Sequence, residues 1–445
     1  MARLITEQSE RFNRDFYRLC LTENYPFALD LRACHGSYLH TVEGQDILDW
    51  AGFYGSKMIA YNHPRLYDPA YVERLLVAAN NKVPNPDYFT PECLAFYRKL
   101  ASYAPECMKN AADLEVYAVN SGAEAIENMM KYLISKHNRH TSQSRKGLPK
   151  RFIFFKNSFH GRTVFALSIT NIQKEVITGD FQTLYSHNLQ ASFPSCCFSP
   201  PGEDRYQAMN DQIIDRSLFE IERYLDNYPG QVVGVICEPI QSAGGHHVTL
   251  PRFFHELSGL TASHHVYLAF DEIQTGLGST GRTYAIDHYD LAEPPQAVAV
   301  AKKMGVGAIF MLDRLEDVGV LDSTWGGPLV DMVRVTQELE IVEEEGLIPA
   351  AAVKGETVRN GLWELARKYP GWMENIRGTG LCLGFTVPGG CRDRVVETAL
   401  HEELLLLLEA GFDSIRLRPN LSITREEIEE FFLRLERTLI LLAKE

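Results

Sequence analysis

Three stretches end in residues whose types could do chemistry. AVAVAKKMGVG, residues 297–307, runs five small apolar residues into Lys302 and Lys303, and then into glycines. A lysine at the end of a buried strand loses its preference for the charged form and can act as a neutral amine near pH 7. Such an amine is a nucleophile toward aldehydes. The alternative is that both lysines snorkel to the surface. VYLAFDEIQ, residues 266–274, places Asp271 and Glu272 at the end of another apolar run, where buried acids need partners, an arginine being the common one. LEVYAVNSGAEA, residues 114–125, passes through Ser121, Gly122 and Ala123 into a helical pattern. A small-residue turn at a helix N-terminus offers free N–H groups and a positive dipole end to an anion, or it is simply a turn with a serine cap.

Together the three sites are the minimal kit for pyridoxal 5'-phosphate. The helix N-terminus anchors the phosphate, the acid keeps the pyridine nitrogen protonated, and the lysine holds the aldehyde as a Schiff base and later moves protons. GLGSTG, residues 276–281, also matches the dinucleotide spacing G-x-G-x-x-G. However, the preceding strand ends five residues too early, no helix clearly opens at Gly281, and Ala301 stands where an acid is wanted. The histidine pairs His246-His247 and His264-His265 lack helical metal-site spacing and read as surface or core residues; no metal site is expected.

These residues need elements that bring them together. Strands are expected at 114–120, 151–157, 231–239, 266–272 and 296–301, with helices at 123–138 and 253–265 between them. Several of these strands are apolar throughout, the pattern of a mainly parallel sheet covered on both faces. Ligands of such sheets bind beyond the carboxyl ends of the strands. Residues 7–23 read as a surface helix and 28–50 as a small β-meander. Residues 137–150 and 193–205 read as exposed loops. Residues 326–346 read as a long helix, 378–387 and 414–423 as strands, and LLLLL at 404–408 as a buried helix. Thr424 and Glu427 have capping-box spacing. The division expected is 1–60 as the N-terminal segment of a small domain, 61–330 as a large domain, and 331–445 as the rest of a small α+β domain.

The 445 residues suit two to three domains, and the net charge of −14 argues against nucleic acid as a partner. No apolar run has the length of a membrane span, and the first residues carry no apolar signal core. The nine cysteines are scattered, without C-x-x-C, which leads to the expectation of a reduced, cytoplasmic setting.

The chain resembles the class III, or ω-, aminotransferases of fold-type I. The resemblance runs from about Asp30 to Ile423 through NSGAEAIENMMK, SFHGRT, EPIQSAGG, FDEIQTGLGSTG, AKKMG, STWGG and RGTGLCLGF. NKVPNPDYFT, FHGRTVFALSITN and STWGGPLVDMVR make it most similar to the lysine 6-aminotransferases, then to the 4-aminobutyrate aminotransferases. The resemblance implies an α/β fold-type I transferase with a mainly parallel, seven-stranded-type sheet and a smaller α+β domain from both chain ends. It implies transfer of a terminal amine, such as that of L-lysine, to 2-oxoglutarate, giving a semialdehyde and glutamate.

Residue by residue, it implies Lys302 as the Schiff-base lysine and Lys303 as its structural neighbour. Asp271 would meet the ring nitrogen and Gln274 the ring hydroxyl. Ser121, Gly122 and Ala123 would hold the phosphate, and Phe159 and His160 would lie at the cofactor, Phe159 stacked on the ring. Glu238 would sit near the ring and support Gln274. Thr324 would reach the phosphate of a neighbouring subunit, which implies a homodimer with shared active sites. Arg162 would bind one substrate carboxylate and Arg418 the α-carboxylate of glutamate or 2-oxoglutarate, since arginine pairs with carboxylates bidentately. The lysine, ornithine and 4-aminobutyrate enzymes have a glutamate after EPIQ-x that pairs with the second arginine; here the residue is Ala243. Arg418 would then stay open to a carboxylate or find another partner, and donor and acceptor could differ. Asp322 stands where lysine 6-aminotransferases tend to have asparagine. It would receive a cationic substrate group, pair with Arg418, or be a solvated loop acid. A nicotinamide oxidoreductase using GLGSTG and a catalytically silent cofactor-binding protein are the readings from other classes. The intact Lys302, Asp271 and both arginines speak against the second.

Overall fold

The apolar runs become one seven-stranded sheet in the computed structural model, which describes residues 7–20, 25–140, 147–172, 175–181 and 187–444. In spatial order its strands are Glu115–Val119, Gly307–Met311, Ala297–Val300, Tyr267–Asp271, Val232–Cys237, Arg151–Phe155 and Leu189–Ala191. The last five pair in parallel. Gly307–Met311 runs antiparallel to both its neighbours. The architecture is therefore α/β with a mainly parallel sheet.

Alternation within each strand explains why the runs are apolar throughout. Val298, Val300 and Phe270 belong to one core cluster, and Ala297, Ala299 and Ala269 to the other. The alanine face admits the helix Gly122–His140 closely, through Met129, Met130 and Leu133. Burying a valine or phenylalanine side chain contributes roughly 1.5–3 kcal/mol, so either face exposed would be expensive.

Two smaller sheets flank this core. Tyr38–His40 and Asp46–Asp49 pair antiparallel, and Leu405–Leu406 adds to them in parallel, so both chain ends share one sheet. The second has the order Glu374–Thr379, Cys382–Thr386, Ser414–Leu417 and Leu408–Ala410.

The expected helix at 404–408 is therefore corrected. Helix Arg392–Glu403 stops at Leu404, which is left-handed with φ 50°. Arg434 Nη1 donates to the Glu403 and Leu404 carbonyls. Five consecutive leucines have no 3.6-residue period, and Leu405–Leu408 are buried, Leu405–Leu406 and Leu408 in two short strands with Leu407 between them. Residues 378–387 likewise form a hairpin rather than one strand, turning at Gly380, where an added Cβ would lie 2.3 Å from the Thr280 carbonyl carbon. Leu381 N donates to Ser279 O, so the hairpin tip seats on GLGSTG. The glycines of that motif allow backbone to meet backbone, and no helix opens there. The strand expected over 414–423 ends at Leu417, before Arg418-Pro419.

The helix expected at 7–23 spans Glu7–Leu19, and residues 21–24 lie outside the described residues, as do 141–146 of the expected 137–150 loop, whose start belongs to helix Gly122–His140. The long helix spans Leu329–Glu344. Helix Arg425–Ala443 opens with the expected capping box: Glu427 N donates to Thr424 Oγ1 at 3.2 Å, and Thr424 N to Glu427 Oε2 at 2.8 Å.

Candidate active site

Five strand ends converge on one edge of the sheet. Ser121 and Gly122 follow Glu115–Val119; Phe159 and His160 follow Arg151–Phe155; Glu238 follows Cys237. Asp271 ends its own strand, and Lys302 lies one residue beyond Ala301. Ser121, Gly122, Ala123, Phe159, His160, Glu238, Asp271, Gln274 and Lys302 all line one cavity of about 360 Å³.

Lys302 Nζ donates to the Tyr54 carbonyl at 3.1 Å. Burial pushes this amine down to about 7, helped by the charges of Arg416, Lys303 and Arg418 and opposed by Asp271. Lys303 turns the other way, donating to the carbonyls of Gln274 and Gly276 at 3.5 and 3.2 Å. It thus ties the lysine turn to the turn that carries Gln274.

Asp271 accepts from Ile273 N at 3.0 Å and pairs with His160 Nδ1 at 2.8 Å. Glu238 accepts from Phe159 N at 2.9 Å and Ser242 N at 3.3 Å. Burial pushes its carboxyl up to about 7, with His160 opposing and Asp271 adding. The expected support of Gln274 by Glu238 is corrected: both carboxylate oxygens are taken by backbone N–H groups. Gln274 Nε2 instead reaches the Tyr54 carbonyl at 3.3 Å, and its buried Oε1 has no partner.

The Tyr54 carbonyl is thus shared by two site residues. It is presented by a left-handed turn, with φ of 55°, 49°, 59° and 79° at Gly52, Phe53, Tyr54 and Gly55. Left-handed backbone costs roughly 1–2 kcal/mol for each residue with a Cβ. Asp49 Oδ1 braces the turn by accepting from Ala51 N and Gly52 N, each at 2.9 Å.

The arginines depart from the expectation. Arg418 is 2% exposed, and both its terminal nitrogens are engaged. Nη1 donates to the Leu417 and Leu383 carbonyls, and Nη2 to Ser242 Oγ at 2.8 Å and His246 Nδ1 at 2.9 Å. Arg416, two residues earlier, donates from Nε to the Glu409 carbonyl at 3.2 Å, while its Nη1 is buried without a partner. Its charge is also the largest one acting on Lys302. Arg418 Nε is also buried without a partner, so the distinction lies in the terminal nitrogens: Arg416 keeps an open Nη1, whereas both of Arg418's are engaged. The available signal was the second arginine of RLR, two residues from Arg418. His246 is fully buried, and burial plus Arg418 hold its pKa well below the ordinary range, so it accepts as a neutral ring.

Other expected site residues are not gathered into this cavity. Arg162 is exposed just after Gly161, and Thr324 is exposed. Asp322 is exposed and accepts from Tyr117 OH at 2.9 Å. Ala243 is half-buried, and its carbonyl accepts from Gly411 N. A larger cleft of about 970 Å³ opens at the opposite ends of the strands, lined by His137, His140, His264 and His265. Among the described residues, no group of three His, Cys, Asp or Glu side chains could hold a metal ion.

The cavity fits pyridoxal phosphate. The helix beginning at Gly122 directs its first N–H groups at one end. Ile273 and Ala301 stand 3.1–3.4 Å from an added Cβ at Gly122, so the turn tolerates little bulk. At the other end stand an acid, an unsatisfied amide oxygen and an amine of lowered proton affinity.

The family model described as aminotransferase class-III matches residues 21–439. The chain is 30% identical over 433 residues to L-lysine-epsilon aminotransferase of Mycobacterium tuberculosis, covering 94% of this chain and 93% of that one. It is 30% identical over 446 residues to 4-aminobutyrate aminotransferase of Dictyostelium discoideum, covering 93% and 85%. The solved lysine aminotransferase from M. tuberculosis superposes with a TM-score of 0.89 at 30% identity, over 98% of this chain and 99% of that one.

Proposed function

This chain belongs to the class-III aminotransferases, which use pyridoxal phosphate, and from that premise we propose that it moves the terminal amino group of an amino acid such as L-lysine to 2-oxoglutarate. The products are a semialdehyde and glutamate. The observation that carries the reading is Lys302: an amine of lowered proton affinity facing Asp271 across a cavity that a helix N-terminus closes. The resemblance to L-lysine-epsilon aminotransferase supports the choice of donor.

When bound, the pyridoxal group supplies an aldehyde that takes up an amine and a ring that stores the electron pair left on a deprotonated carbon. The chain does the rest. Gly122 and Ala123 N–H groups would hold the phosphate, and Asp271 would hold a proton on the ring nitrogen. Gln274 Oε1 would take the ring hydroxyl, and Phe159 would pack on the ring. Lys302 Nζ takes a proton from the donor carbon and delivers it on the other side of the reaction, a task suited to a base near 7. Arg416 offers its open N–H groups to the carboxylate beside the oxo group of the acceptor, with Arg162 at the rim for the second carboxylate.

A second reading is a 4-aminobutyrate-type or other ω-amine transaminase, with pyruvate as an alternative acceptor. It is favoured by Ala243, which leaves the arginines without a carboxylate from that loop. We further propose a homodimer in which the exposed Thr324 serves the neighbouring subunit's phosphate, and a cytoplasmic setting, which the nine free cysteines support.

The test is a panel of amines added to the cofactor-loaded protein, followed by bleaching of the visible band and recovery with 2-oxoglutarate. L-lysine is expected to bleach the band, and Lys302→Ala to abolish turnover. A band bleached by 4-aminobutyrate but not L-lysine selects the second reading. A protein that no amine bleaches overturns both.

A further inference from the structure

The turn that carries Lys302 is strained. Lys302 has φ 21°, in the region that residues with a Cβ rarely adopt. The turn is also short: Met304 N donates to the Ala301 carbonyl at 2.8 Å, and Gly305 N to the Lys302 carbonyl at 3.0 Å. Strained backbone of this kind persists only where the surrounding structure over-determines it.

Helix Leu329–Glu344 supplies those surroundings. Arg334 donates from Nε to Asp331 Oδ1 at 3.2 Å and from Nη1 to Glu338 Oε2 at 2.8 Å. These partners lie three residues before and four after it, the spacing of an ordinary helix-face pair, which contributes little alone. The third arm leaves the helix: Nη2 donates to the Met304 carbonyl, two residues past Lys302. The Glu338 side chain is only 3% exposed, so a nearly buried carboxylate fixes the guanidinium that makes this contact. Gly305 leaves room for it. Its φ is 72°, and an added Cβ would lie 2.5 Å from Arg334 Nη2 and 2.9 Å from Asp331 Oδ1. Gly305 and Val306 line the cavity, and Arg334 meets Gly305 from the helix side. The charges that bear most on the Lys302 amine are those of Arg416, Lys303, Arg418 and Asp271, so Arg334 acts on it through the backbone.

We propose that Arg334 is a positioning residue for the reaction. Pinned by Asp331 and Glu338, it clamps the Met304 carbonyl and so holds the strained turn that aims Lys302 Nζ into the cavity. This rests on the pyridoxal phosphate reading above.

The experiment compares the full-length native protein with Arg334→Met, which keeps the stem and loses every donor. Stripped protein is mixed with pyridoxal 5'-phosphate, and growth of the visible band reports capture, in which the Lys302 amine replaces the aldehyde oxygen and water leaves. Binding of pyridoxamine 5'-phosphate, which forms no bond to Lys302, is titrated in parallel. Capture is expected to slow roughly 10- to 100-fold, since about 1 Å of misplacement can cost about 100-fold. Affinity for pyridoxamine 5'-phosphate is expected to stay within about threefold, because none of the groups that hold it is removed. In loaded protein, kcat is expected to fall with capture, and KM for both substrates to change by less than about threefold. Native capture and kcat in the variant overturn the proposal. Equal losses of capture and of pyridoxamine 5'-phosphate affinity also overturn it, being general damage to the pocket. Arg334→Met strands the Glu338 carboxylate. Should it fold poorly by thermal melting, Arg334→Met/Glu338→Gln takes its place, with the same results expected and the same results overturning the proposal. A native protein that forms no visible band overturns the cofactor reading together with this one. A native band that forms at the same rate in the variant overturns this one alone.

Discussion

At the scale of single residues, the two arginines make the sharpest expectations. Arg416 has a buried Nη1 without a partner, whereas both terminal nitrogens of Arg418 are spent on two carbonyls, a hydroxyl and a ring nitrogen, with only its Nε unpaired. Arg416→Met is expected to raise KM for 2-oxoglutarate roughly 10–100-fold, the loss of charge-assisted hydrogen bonds worth about 1.5–3 kcal/mol. Arg418→Met is expected to lower the melting temperature, with a smaller effect on KM, because it leaves buried acceptors unpaired. Steady-state kinetics and thermal melting separate the two. Lys302 gives a pH expectation. Its amine sits at about 7, so the rate at which the stripped protein captures pyridoxal phosphate should rise through pH 7 and then level off. A rate still rising steeply at pH 9 would show an ordinary lysine.

At the scale of elements, the left-handed turn Gly52–Gly55 carries the load. It delivers one carbonyl to both Lys302 and Gln274. At Gly55, φ is 79° and an added Cβ would lie 2.9 Å from Gln274 Oε1. Gly55→Ala is expected to cost about 1–2 kcal/mol of stability and to weaken cofactor binding by pushing Gln274 aside. Urea unfolding and a cofactor titration measure the two effects; intact cofactor affinity would remove Gln274 from the site. This turn was illegible in the sequence because GFYG has no period, and its strain is sustained by Asp49 and by the Arg418 carbonyl, 2.0 Å from an added Cβ at Gly52. The parallel strands were legible because each carries its own signal: apolar residues on both faces. LLLLL was misread because a run buried in every direction has the same composition as helix or strand, and only its partners at 46–49 and 414–417 choose between them.

At the scale of the whole molecule, the loop after Glu238 joins the large sheet to the four-stranded sheet. Arg377 donates to the His246 and Gly245 carbonyls at 2.7 Å each, and His247 lies between Ser195 Oγ at 2.8 Å and Asn157 Nδ2 at 3.4 Å. Burial, then the charge of Arg377, push His247 down to about 4 from 6.5. The unfolded chain therefore takes up this proton first. The stability tied to neutral His247 is full above pH 6.5 and is lost as the pH falls toward 4. Glu272 has the opposite sign: burial raises it to about 7 from 4.5, so its contribution is full below 4.5 and is lost as the pH rises through 7. The unfolding midpoint of stripped protein is therefore expected to fall on both sides, and His247→Gln to flatten the acid side. An unchanged acid side would place the loss elsewhere.

The sequence by itself pointed to the cofactor class, because those signals are local, while the reaction class came with the family resemblance. A lysine, an acid and a small-residue turn each end their own apolar run, and a parallel sheet brings such ends to one edge whatever the loops do. The tertiary structure decided which arginine is free to meet a carboxylate. Arg416 lies in the strand Ser414–Leu417 and Arg418 just past its end; they share a chemistry, and nothing near them in the chain tells them apart. Ser242 and His246, 176 and 172 residues away, engage Nη2 of Arg418, while Nη1 of Arg416 stays open. A hydrogen bond between distant segments exists only once the chain has folded, and it is this bond that leaves one arginine's terminal nitrogens engaged and the other's open.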